Sequence, residues 1–84
     1  MMIEQDVDGY VSMPCEQYAE LELAIMHRER LRVAWRGDDG SSFVGLLDPR
    51  DLQTESGAEF LLGVLPDGKS VRLRLDHILG FERV

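Results

Sequence analysis

The chain has a single cysteine, and before Arg28 it has no lysine or arginine. Cys15 alone cannot close an internal disulfide, the staple on which small secreted domains rely, so a packed core has to hold the fold. Long apolar runs are missing too. The longest, Phe60 to Leu65, is six residues including Gly63, against roughly 20 for a membrane-spanning helix. The opening residues carry Glu4, Asp6 and Asp8 in place of a basic segment followed by an apolar one, so no secretory leader is read there. A cytoplasmic location is expected.

Chemistry-bearing side chains are equally scarce. Cys15, His27 and His77 are the whole pool of sulfur and nitrogen metal ligands, whereas a zinc site takes about four ligands. Cys15 and His27 lie about 18 Å apart if a helix joins them, at 1.5 Å per residue, so they can share neither a metal nor a nucleophile–base pair. Gly37, Gly40 and Gly45 fit neither GxGxxG nor a Walker pattern. No catalytic residue, metal or cofactor is expected, and the reading is of a protein that binds.

What is present is acid, unevenly placed. In 84 residues, with a hydrophobic fraction of 44%, nine basic and sixteen acidic side chains give a net charge of −7. That length is one domain. From Met1 to His27 six acids and no bases give −6; from Arg28 onward ten acids and nine bases give −1. A chain so charged is a poor general phosphate binder, because that work needs clustered Lys and Arg.

Residues 1–14, with Gly9 and Pro14 as breakers, read as a flexible acidic arm ahead of a single domain over 15–84. Residues 15 to about 29 are rich in Ala, Leu, Glu and Gln and free of Gly and Pro, a helix. At 100° per residue Tyr18, Leu21, Ala24 and Ile25 share the core side, while Glu16, Glu20, Leu23 and His27 share the other. From Arg30 the period becomes two. Strands are expected at about 30–36, 42–48, 59–65, 70–76 and 77–83, with Leu79 and Phe81 on one face of the last. Gly37 to Gly40 and Pro66-Asp67-Gly68 are turns, and Pro49 to Gly57 is a surface loop. One helix and five short antiparallel strands predict a mostly β domain, a strongly bent sheet or small barrel of the Sm-like or SH3-like kind.

Arg30, Arg32 and Arg36 fall on the outward side of one strand, and Arg72 and Arg74 on the outward side of another. Small barrels bind single-stranded RNA on such surfaces, so these five form an alternative RNA-binding site. Interleaved aromatics are missing. The simpler reading pairs each arginine with a nearby acid.

Cys15-Glu16-Gln17-Tyr18-Ala19-Glu20-Leu21-Glu22-Leu23-Ala24 resembles the C-x-x-Y-x-x-L-E-L-A opening of the Rho-binding antiterminator family (Rof, also called YaeO). Asp39-Gly40 falls at that family's first hairpin, Glu59-Phe60-Leu61 is similar to its E-[YF]-L strand, and Leu73-Arg74-Leu75-Asp76-His77-Ile78 to its L-R-L-D-[KH]-I segment. The resemblance implies an Sm-like barrel with an N-terminal helix. It also implies an inhibitor that attaches to the N-terminal RNA-binding region of transcription termination factor Rho; the free protein is expected to be a monomer that binds neither nucleic acid nor membrane directly. Carried over residue by residue, Glu16, Gln17 and Glu20 would meet Rho, Gln17 standing where the family often has an acid. The helical wheel adds Leu23 as an apolar anchor and His27 at the border, and Asp6 and Asp8 extend the negative surface. Carboxylates so placed would occupy sites where RNA phosphates otherwise lie.

Overall fold

A computed structural model describes residues 11–84. Its elements are α1 (Cys15–Met26), β1 (Leu31–Arg36), β2 (Ser42–Glu55), β3 (Ala58–Val64), β4 (Ser70–Arg74), a short 3-10 helix (Leu75–His77) and β5 (Ile78–Arg83). The five strands form one antiparallel sheet in the order β4-β3-β2-β1-β5. The expected class, one helix with a five-stranded antiparallel sheet, is what the chain adopts. Closure is not: β4 and β5 stand at opposite ends of the order, and the sheet is not closed into a barrel.

The expected loop at 49–57 is instead the second half of β2. Residues 42–47 pair with β1, and residues 48–55 pair with β3. The polar composition misleads because Asp51, Gln53, Thr54 and Glu55 sit on an exposed stretch of strand whose ladder satisfies the backbone. Pairing passes from Pro49 opposite Gly63 to Asp51 opposite Leu62, leaving Arg50 as the extra residue of a β-bulge. Bulges bend a strand and re-aim a side chain. A two-residue turn then reverses the chain, Ser56 at φ 53° and Gly57 at φ 83°. Both angles positive is the type I′ geometry that matches strand twist.

The two turns expected from Gly and Asp are present and built alike. Ser41 donates its N–H to Asp39 Oδ1 (2.9 Å) and Lys69 donates to Asp67 Oδ1 (3.0 Å). In each, the following backbone reversal needs a glycine, Gly40 at φ 89° and Gly68 at φ 90°.

The core is aliphatic. Leu21 and Ala24 from α1 join Leu31 and Val33 of β1, Leu47 of β2, Ala58 and Leu61 of β3, and Leu75 of the 3-10 helix. Burying one such Leu is worth about 1.5–3 kcal/mol. Met13, Tyr18, Ile25, Trp35 and Phe81 pack around this cluster. Gly63 is buried because nothing larger fits: a Cβ there would lie 2.8 Å from Leu47 Cδ1. Leu79 does not share a face with Phe81 as expected. Pairing of β5 with β1 steps from Ile78–Trp35 to Gly80–Ala34, so Leu79 is bulged out and 56% exposed.

Candidate functional site

α1 is preceded by Pro14, whose carbonyl accepts the N–H of Tyr18 (3.0 Å). Pro14 is the N-cap, its backbone extended at φ −56° and ψ 144°, and it offers no side-chain cap to the helix N–H groups. The helix stops three residues short of expectation, at Met26. Arg28 adopts φ 57°, Glu29 donates its N–H to Ala24 O (2.9 Å) and Arg28 donates to Ile25 O (3.2 Å). This is a Schellman ending, a position normally given to glycine, and an L-residue there costs about 1–2 kcal/mol.

The helical wheel is reproduced side by side. Leu21 and Ala24 are fully buried, and Tyr18 and Ile25 half-buried. Glu16, Gln17, Glu20, Leu23 and His27 are exposed, with Leu23 at 40%. Glu16, Glu20, Leu23 and His27 recur at helical spacing and make one stripe about 16 Å long. Asp6 and Asp8 lie outside the described residues. Burial pushes the Tyr18 hydroxyl above its ordinary pKa, and the charges of Glu59, Glu22 and Asp51 add to the rise, on the side of the helix that faces the sheet.

Glu20 is not free. Arg83 Nη2 on β5 lies 3.2 Å from its Oε1, while Arg83 Nε lies 2.8 Å from Glu29 Oε1. Sequence reasoning missed Arg83, and no local pattern signals a partner 63 positions away.

Four of the five arginines of the alternative RNA site are engaged. Arg30 forks onto Asp48 (2.8 and 3.4 Å), Arg32 holds Glu82 (2.8 Å), and Arg74 forks onto Asp76 (2.9 and 2.7 Å). Arg72 pairs with Glu55 and lies 3.7 Å above the centroid of Phe60. Arg36 makes no ion pair among the described residues. The Arg30 hydrogen bond holds the Asp48 carboxyl below the usual range, against burial and with help from the charges of Arg30 and Arg50. Three of the five do meet: Arg36, Arg72 and Arg74 line a cleft of about 190 Å³ with Trp35, Asp38 and His77. Trp35 itself stacks on Phe43 (5.8 Å, 26°), which is 47% exposed.

Among the described residues no group of three or more His, Cys, Asp and Glu could hold a metal. Cys15 is exposed. His77 Nε2 is 3.9 Å from Asp76 Oδ1, within the Arg74 pair. No described helix is long and apolar enough to cross a membrane.

No protein-family model matches the sequence, and no curated protein matches it. Among solved structures the chain is similar to proteasome accessory factor B/C (PafBC) of Arthrobacter aurescens, with a TM-score of 0.75 and 18% identity over 93% of this chain. It spans 13% of that longer protein. At such identity the likeness is one of fold.

Proposed function

We propose that the chain is a non-catalytic, cytoplasmic antiterminator that binds transcription termination factor Rho and keeps RNA from its primary binding site. The observation that carries this reading is the exposed stripe on α1. Glu16, Gln17, Glu20, Leu23 and His27 face outward while Leu21 and Ala24 of the same helix are buried, so the stripe can be offered without disturbing the core. An electropositive RNA cleft is complementary to such a surface. The arginines weigh against direct RNA binding, since four of five already hold carboxylates.

Calorimetric titration into the Rho hexamer, repeated with cytosine-rich RNA as competitor, tests the proposal. Saturable binding that RNA displaces is expected, with Glu16→Lys and Leu23→Ser each weakening it about tenfold. Absence of heat at micromolar concentrations sinks the Rho assignment. A gel shift with single-stranded RNA, repeated for Arg36→Gln, examines the cleft lined by Arg36, Arg72 and Arg74.

A further inference from the structure

Beyond the acidic stripe, the C-terminal end of α1 opens onto a groove of about 820 Å³ lined by Ile25, Met26, Arg28, Arg30, Asp48 and Arg50. We infer that this groove binds an acidic peptide segment of another protein, with the Arg28 and Arg50 guanidinium groups taking its carboxylates. The inference involves none of the stripe residues and does not depend on the Rho reading.

The three arginines of the groove are not equivalent. Arg30 is committed to Asp48 by a two-pronged hydrogen bond. Arg28 and Arg50 make no ion pair or side-chain hydrogen bond with any described residue. Each also occupies a backbone irregularity. Arg28 holds the left-handed position, φ 57°, where glycine would be unstrained. Arg50 is the extra residue of the bulge in β2, between the Pro49–Gly63 and Asp51–Leu62 pairs. Backbone strain and bulges gather where a side chain is aimed at a partner. Here two of them, on separate elements, bring guanidinium groups that hold no ion pair to one groove, Arg50 acting on Asp48 through its charge alone.

The lining selects among anions. Guanidinium forks match carboxylates and phosphates alike. Single-stranded nucleic acid, however, is held by aromatic platforms as well as charge, and no aromatic side chain lines this groove. Asp48 and Glu29 on its walls are already held by Arg30 and Arg83, which leaves the charges of Arg28 and Arg50 to face an incoming anion. Met26, 71% exposed, and Ile25 supply an adaptable apolar surface for the intervening side chains.

The test is an amide NMR titration of the full chain with a capped octapeptide of alternating glutamate and leucine, beside a twelve-nucleotide oligothymidylate. Saturable shifts at Met26, Arg28 and Arg50 with the peptide are expected. Arg50→Gln and Arg28→Gly should each weaken peptide binding about tenfold, the value of one charge-assisted pair. Arg28→Gly should at the same time raise the urea midpoint, which separates lost binding from lost folding. Absence of saturable peptide shifts, tighter binding of the oligonucleotide, or full peptide affinity in Arg28→Gly would each overturn the inference.

Discussion

Arg83 on β5 and Glu20 on α1 are joined by a 3.2 Å ion pair, and the same guanidinium holds Glu29 just beyond the helix. One side chain of the sheet thus ties down both the middle of the helix and its exit. Glu16, one turn earlier on the stripe, makes no ion pair among the described residues.

The two carboxylates should therefore answer differently to charge reversal. Glu20→Lys removes the pair and sets a lysine against Arg83, so it should destabilise by about 1 kcal/mol, in the range of exposed pairs, and lower Tm by about 4–8 °C for a domain of this size. Glu16→Lys loses only the favourable helix-dipole term, some tenths of a kcal/mol. Thermal melts at low and high salt check this. Equal shifts in the two variants would mean that Arg83 does not hold the helix.

Gly63→Ala should destabilise by about 1–3 kcal/mol, the usual range for overpacking a filled core. Its added methyl would meet both Leu47 Cγ and Cδ1 at 2.8 Å, with Asp48 O at 3.0 Å. Leu47→Ala should partly rescue it by making room, although alone that change costs about 2–5 kcal/mol. A urea double-mutant cycle gives the coupling, and simple additivity would contradict the contact.

Asp76 should contribute to the acid limit of stability. Burial pushes its carboxyl up, but the Arg74 hydrogen bond, the Val11 N–H and the charges of Arg74 and His77 outweigh burial and hold it below the usual range. A depressed carboxylate lends stability above its unfolded pKa of about 3.9, and that stability is lost as pH falls through the folded value. Melts between pH 2 and 6 should show wild type losing stability below about pH 4. Asp76→Asn should be weaker at neutral pH and fall less steeply toward acid; identical slopes would remove Asp76 from the account.

Ser56 occupies the first central position of a type I′ turn, where asparagine tolerates positive φ better than serine. Ser56→Asn should stabilise by several tenths of a kcal/mol, whereas Gly57→Ala, at φ 83°, should cost about 1 kcal/mol or more. Chemical denaturation of the pair tests the turn.

The helix side carrying Leu21 and Ala24, the Asp-Gly turns and the alternation through Leu31, Val33 and Trp35 were legible because each follows from a local period or a turn requirement. Glu16, Gln17, Leu23 and His27 were legible for the same reason, as the other side of that helix. The second half of β2 was not: strand pairing there overrides a polar composition of Asp51, Gln53, Thr54 and Glu55 that by itself favours a loop. Nor was the helix end, where Arg28 takes a conformation its residue type disfavours. The Arg83–Glu20 and Arg32–Glu82 pairs join residues 63 and 50 positions apart. Such pairings depend on strand order, which period and composition do not encode.

β2 belongs to both hydrogen-bonded ladders, with β1 through its first half and β3 through its second. No residue of β2 is paired on both sides, whereas β1 lies between β2 and β5 and β3 lies between β2 and β4. In native-state hydrogen exchange the paired amides of β1 and β3 should therefore be the last to open, while β4 and β5, each held along one side by a single strand, should exchange through smaller openings.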